Sequence, residues 1–461
     1  MKNSVMQNLV DFVVETSYED LPEAVVHESK RVLLDSIGVA IAGLATDKGK
    51  YAVELARRFG GPPEAIILGI GDRVSCNSAA FANGELINAL DMDALLVPSH
   101  ISPCVIPALL ALAETNSASG KDLLVANVLA HEISTRFGRA VTSIGYATLY
   151  GLNLSVVGGT AGAAKVSKLD KEKMTHALSL ACYMAPSLIP MMRFPYAAPP
   201  SMAKYVPAGL MGQAEITAVL LAEMGYIGDR EVFDGEHGFW EAMPQAQWDP
   251  QKLTDKLGER WSFLATHYKP YPCCRLMHSG LDGFIKLIEE NNLHTEDIEQ
   301  VKVFLNPDFD SPVWMNRQIQ SCIDAQFSIA YAFAVAAHRV RIGADWQDAQ
   351  TISNPKIVEF MDKVSFYPHP EFKNVFLENP RTDLSLVEVA AKGQLFRQET
   401  RFAKGTHSPP EFRMTDEELE NKFISNTSRN LPWNKINQAI KFIFELENKE
   451  NVAELMELVT I

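Results

Sequence analysis

The sequence predicts a mainly helical fold in two parts: a large all-helical domain and a smaller α+β domain. Three observations carry this. The chain has 461 residues, more than the ~250–300 at which single cores stop growing. Before residue 265, and again after residue 415, apolar residues recur at helical spacing. Between them, Ile298–Leu305 and Asp383–Val389 alternate apolar and polar in the manner of strands.

Residues 5–45 read as two helices. Leu9, Val10, Phe12 and Val13 form the stripe of the first, and Leu21-Pro22-Glu23 opens the second, which is rich in small residues near its end. Gly60-Gly61-Pro62-Pro63 is a turn, and Ile66–Leu68 a short strand. From Ser78 to Ala113 the pattern is helix, loop, helix. The loop Pro98–Pro103 separates Asp91-Met92-Asp93 from the apolar run Val105–Leu112. Residues 120–140 form an amphipathic helix. Gly158–Ala164 has no P-loop spacing and reads as a tightly packed helix rather than a phosphate cradle. Asp170–Ala185 is helical, 186–207 is Pro-rich and carries Arg193 and Lys204, and Gly209–Glu223 is another small-residue helix. An irregular segment, Thr266–Cys274, precedes a helix over Leu276–Glu290. Gln326–His338 reads as one strongly apolar helix, and Thr415–Thr460 returns to amphipathic helix.

The composition narrows the function. The net charge of −15 disfavours nucleic acid as a partner, because phosphate binding needs a basic face. A local cationic pocket for a small anion remains compatible with an acidic chain. The six cysteines include no CxxC pair and fit free thiols in a reducing cytoplasm. The first residues lack the apolar core of a signal peptide. Val32–Leu44, the longest apolar candidate, is interrupted by Asp35 and is shorter than the ~18–20 residues of a membrane span.

Several passages, in order along nearly the whole chain, resemble the MmgE/PrpD family. They are LLDSIGVAIAGL (33–44), FANGELINALDMD (81–93), SHISPCVIPALLALAE (99–114), ASGKDLLVANVLAHEISTRFG (118–138), YKPYPCCRLMHSGLDG (268–283), AQFSIAYAFAVA (325–336) and KGTHSPP (404–410). Members of this family include 2-methylcitrate dehydratase, cis-aconitate decarboxylase and iminodisuccinate epimerase. The resemblance implies a helical domain from residues 1–265 and 405–461, an α+β lid over 266–404, a homodimer, a site between the domains, and neither metal nor organic cofactor.

Such reactions move a proton beside a carboxylate. They need a base, an acid, and cations to hold the carboxylates. His100, in a Pro-bracketed loop, matches a family site histidine and is the candidate acid or base. Lys204 and Lys269 match family lysines, and with Arg275 they would make a cationic pocket for a polycarboxylate. Asp91 and Asp93, two apart on a helix, would face different sides. The family usually reads Asp-x-Asp-Asp there with a histidine ahead; here Asn88 stands near the histidine position and Ala94 replaces the last aspartate.

Cys273, Cys274 and His278 lack zinc-like spacing to any remote pair. Cys274 stands where the decarboxylases carry a histidine, and reads as a pocket-lining residue, a thiol acid or base, or a buried inert thiol. His278 lies on the helix that follows, with a structural and a site role both open. Leu152 replaces another family histidine, and nearby Tyr146 and Tyr150 are alternative phenol donors. Arg193 is a further candidate for holding substrate. Three activities are therefore ranked: dehydration of a hydroxy-carboxylate, epimerisation, and decarboxylation, with a non-catalytic carboxylate-binding protein as the contrast.

Overall fold

The computed structural model describes residues 4–96, 99–142, 154–186, 193–205, 207–234, 237–242, 247–379 and 382–461. Helix α1 (Val5–Glu15) is capped by Ser4, whose side chain accepts from the Gln7 N–H, and it buries Met6, Leu9, Val10 and Val13. Helix α2 (Glu23–Gly43) begins directly after Pro22 and runs through the interior. Then follow α3 (Asp47–Phe59), α4 (Cys76–Asn88), α5 (Ser102–Thr115), α6 (Gly120–Ala140), α7 (Ser155–Val166), α8 (Lys171–Tyr183) and α9 (Ala208–Glu223). A reciprocal Ser119–Asp122 capping box fixes where α6 starts.

The Gly/Ala run in α7 lets α6 and α7 approach closely. A Cβ at Gly158 would lie 2.1 Å from the Ser134 hydroxyl, and one at Gly162 would lie 2.6 Å from the Ala126 carbonyl. Any larger side chain at these positions forces the helices apart.

Apart from two short pairs, Ala65–Ile66 with Arg73–Val74 and Val141–Thr142 with Gln247–Trp248, the described strands make one four-stranded sheet: β1 (Ile298–Leu305), β2 (Val364–Pro368), β3 (Ser385–Ala391) and β4 (Gln394–Thr400), in the order β2-β1-β3-β4. β1 pairs parallel with β2 and antiparallel with β3. The β3–β4 hairpin turns through Lys392 and Gly393, both at positive φ, which suits the right-handed twist of the strands. β3 buries alternate residues against α10 (His278–Glu290), whereas β4 is largely solvent-facing.

The expected single helix over Gln326–His338 is instead two, Cys322–Phe327 and α11 (Ile329–Ala337). The break lies at Ser328, whose ψ of 116° is extended. Its hydroxyl donates to the Asn316 carbonyl and accepts from the Tyr331 N–H, so the side chain caps α11.

Two large apolar cores result among the described residues, beside a small cluster of Val39, Ala42, Leu90 and Met92. One joins α1–α9 to the C-terminal helices α12 (Asp416–Thr427) and α13 (Trp433–Phe444), and it also takes in Ile323 and Phe327. The other is built from α10, α11 and the sheet. No helix of the described residues is long and apolar enough to cross a membrane.

Candidate active site

α4 ends at Asn88, and the chain turns sharply. Asp91 has φ +55°, a left-handed conformation that aspartate tolerates better than most residues. This turn corrects the expectation that Asp91 and Asp93 lie on a helix facing opposite sides. Off the helix, one oxygen of each lies within 4.8 Å of the other and of a His100 ring nitrogen, and both residues are buried.

Asp91 is the hub. Its Oδ1 accepts from the Tyr205 hydroxyl at 2.5 Å and from Lys204 Nζ at 3.3 Å, and its Oδ2 accepts from Lys269 Nζ at 3.0 Å. Lys204 also donates to the Asn88 carbonyl at 2.6 Å, and Lys269 to the Asp91 carbonyl at 2.9 Å. The Tyr205 oxygen lies 2.9 Å from His100 Nε2, and His100 Nδ1 lies 2.7 Å from Asp93 Oδ2. An unbroken chain of polar atoms therefore runs Asp93–His100–Tyr205–Asp91. The His100 and Tyr205 rings stack at 4.7 Å, and Phe194 meets Tyr205 edge-on. Of this cluster, His100 is the most open, with 15% of its side chain exposed, against 0% for both lysines.

The electrostatics separate the members. Burial would raise the Asp91 carboxyl, but Lys204 and Lys269 outweigh it and hold it well below the usual carboxylate range. Asp93 is likewise lowered: burial opposes, and His100 wins. Burial pulls Lys204 down to about 8 despite Asp91, whereas at Lys269 burial is outweighed by Asp91 and Asp93 and the ammonium is raised. Burial, reinforced by Asp91, pushes the Tyr205 phenol well above its ordinary value, so it stays a neutral donor. With Nδ1–H on Asp93, His100 Nε2 can accept the Tyr205 proton; with both nitrogens protonated, it donates to the Tyr205 oxygen while the phenol donates to Asp91.

Two glutamines hold the segments that carry these groups. Gln326 donates to the Ala89 carbonyl (2.7 Å) and to Gln347 Oε1 (2.8 Å); Gln347 donates to the carbonyls of Leu90 (2.8 Å) and Pro272 (2.7 Å). The clasp ties the Asp91 turn to the stretch that begins with Lys269. Leu95 and His267 complete the join with a reciprocal backbone pair.

The other expected residues fall nearby or apart. Cys274 is half-buried, its thiol pushed up to about 11 by desolvation and then by Asp91, so it is a neutral thiol at ordinary pH. Arg275 donates to Thr406 Oγ1 (2.6 Å) and the Ala403 carbonyl (3.3 Å), and lies 3.5 Å from Asp383. Its Nε and Nη1 have no hydrogen-bond partner among the described residues. His278 opens α10 and sits 3.2 Å from the Cys273 carbonyl; burial, then Arg275, holds it well below its usual value, hence neutral. Arg193 is exposed, one residue before Phe194. Tyr146, Tyr150 and Leu152 lie outside the described residues.

Sequence reasoning missed Tyr205 and both glutamines. The signals available were an aromatic beside Lys204 in a Pro-rich stretch and a lone amide inside the apolar run 325–336.

Asp91, Asp93 and His100 offer three donor atoms close enough for a metal ion. They fit one poorly, because both Asp91 oxygens already receive ammonium or phenol hydrogens that a cation would have to displace.

Fold and cluster together define a mainly helical protein with a small mixed sheet and a buried cluster of two carboxylates, two ammoniums, a phenol and an imidazole. The MmgE/PrpD N-terminal domain matches residues 7–251 and the C-terminal domain residues 271–446, so the chain belongs to the MmgE/PrpD family. It is 25% identical to a cis-aconitate decarboxylase-like protein, oryM, of Aspergillus oryzae, over 100% of this chain and 98% of that one. It is 26% identical to cis-aconitate decarboxylase of Homo sapiens, over 99% of this chain and 95% of that one. With the Aspergillus terreus cis-aconitate decarboxylase it shares 26% identity over 72% of each.

Proposed function

We propose that this protein is a lyase that moves a proton beside a carboxylate of a small di- or tricarboxylic acid, with loss of water from a hydroxy acid as its leading reaction. The observation that carries the reading is the Asp93–His100–Tyr205–Asp91 chain ending between two lysine ammoniums.

In this reading His100 is the base. It is the accessible member, and Asp93 fixes its tautomer and stabilises the imidazolium that forms. The neutral Tyr205 phenol gives its proton to the leaving oxygen. Lys204 and Lys269 each use two of three N–H bonds within the protein, leaving one apiece for the substrate carboxylate and the negative charge that grows on it. Residues 266–404 act as the lid over 1–265 and 405–461, and substrate enters when the lid lifts.

Decarboxylation is the second reading, favoured by the names of the relatives. The neutral Cys274 thiol, where decarboxylases carry a histidine, keeps it second. The epimerase alternative finds no support in these relatives. A homodimer and a cytoplasmic location complete the proposal. The first rests on Leu210, exposed on α9, with Met224 and Ile227 exposed just beyond its end; the second rests on six unpaired cysteines.

The test is proton NMR of the purified protein with 2-methylcitrate, citrate and cis-aconitate. A new vinyl signal from a hydroxy acid is the expected result. Loss of carbon dioxide from cis-aconitate alone would favour the second reading, and no turnover of any of the three would overturn both.

A further inference from the structure

A separate cavity of about 180 Å³ touches the same turn from the side of Met92. Met92, Pro270, Ile342 and Met414 give it apolar walls, and α12 presents Lys422 and Asn426, one turn apart, on the face that closes it. The polar lining is Glu418, Lys422, Ser425 and Asn426, and two of these groups have N–H bonds to spare. Asn426 is 6% exposed, and its Nδ2 has no hydrogen-bond partner among the described residues. Lys422 Nζ donates to Asp35 Oδ1 at 2.6 Å and to the Met92 carbonyl at 2.8 Å, which leaves one N–H over. A buried amide donor without an acceptor is costly, and an oxygen-bearing guest would satisfy it. Glu418, also lining the cavity and paired with Lys404, repels a second negative group on that guest.

We propose that this cavity binds a short-chain monocarboxylate, its carboxylate taken by Asn426 and the spare N–H of Lys422, its chain lying against Met92, Ile342 and Met414. The inference is independent of the lyase reading, since nothing in it depends on turnover. It has a consequence for the neighbouring cluster. Met92 lies between Asp91 and Asp93 in the chain, and Pro270 follows Lys269, so an occupant presses on the backbone that aims both.

The full chain, labelled at its methionine methyl groups, tests this by NMR titration with butyrate. Signals of Met92 and Met414, assigned from M92L and M414L, shift saturably while that of Met6, in α1, stays in place. Asn426→Leu weakens the binding by about tenfold or more, and butyramide binds about tenfold more weakly than butyrate, because each change removes a charge-assisted hydrogen bond. Unmoved remaining methionine signals certify that N426L is folded. Absence of any shift at Met92 and Met414, or shifts of undiminished affinity in folded N426L, would overturn the proposal.

Discussion

Tyr268 and Lys269 are chain neighbours that point into two different buried charge clusters, and the two clusters differ in one ingredient. Tyr268 donates to Glu28 Oε1 at 2.7 Å, while Arg31 and Arg413 pair with Glu28 Oε2 and Arg31 also pairs with Asp416. Lys269 joins Lys204 and Tyr205 on Asp91. Each cluster is a carboxylate held by two cations and a phenol. In the first the cations are guanidiniums, which stay charged at any ordinary pH and hold planar geometry. In the second they are ammoniums, one pulled to about 8, beside an imidazole with an open edge. Each cluster has an imidazole at one edge, His27 on Asp416 and His100 on Tyr205, so the difference lies in the cations: arginines join α2 to the C-terminal segment in the first, and two lysines share Asp91 with a phenol in the second.

Removing the hub carboxylates tests this contrast most severely. Asp91→Ala leaves two buried ammoniums uncompensated, with a stability loss of ~3–5 kcal/mol and activity abolished. Glu28→Ala costs less, about 3 kcal/mol, because Arg31 keeps Asp416 and Arg413 is partly exposed; kcat/KM of the folded fraction stays near wild type. Urea unfolding with parallel kinetics separates the two. Equal loss of kcat/KM in E28A would erase the distinction.

Tyr205→Phe comes next. It removes the proposed acid and keeps the ring packing against Phe194 and His100. The expected loss is ~10²–10⁴-fold in kcat, with stability changed by only about 1 kcal/mol. A variant with kcat within a few-fold of wild type would remove Tyr205 from the chemistry and leave it a spacer.

Most of the fold was legible because periodicity reports burial. α6 follows from the amphipathic spacing over 120–140, and β1 from the alternation within Ile298–Leu305. The break at Ser328 was hidden, because the hydroxyl's use of the Asn316 carbonyl depends on a segment brought close only by folding. The same holds at the site. His100, Lys204 and Lys269 stood out through the family resemblance; the structure brings both lysines to Asp91 and His100 to Asp93, with Tyr205 between the two carboxylates. That Asp91 and Asp93 converge was not readable, since it depends on a left-handed residue ending α4. Tyr205 was masked by its neighbour Lys204, and the Gln326–Gln347 clasp by the apolar run around Gln326. Arg193, a candidate by residue type, is exposed, and Arg193→Ala changes kcat/KM by no more than about twofold, as surface changes do.

The central claim is that the lysine cluster works through charge that can be titrated. The pH profile of kcat/KM for wild type and Lys204→Arg tests it most directly. Lys204 must be protonated to hold a carboxylate, and its value is lowered to about 8, so wild-type kcat/KM falls as pH rises through about 8. In Lys204→Arg the guanidinium stays charged, and the account predicts lower activity at pH 7 with that alkaline fall gone. An unchanged alkaline limb in the arginine variant, or a wild-type rate that rises through pH 8, would contradict it.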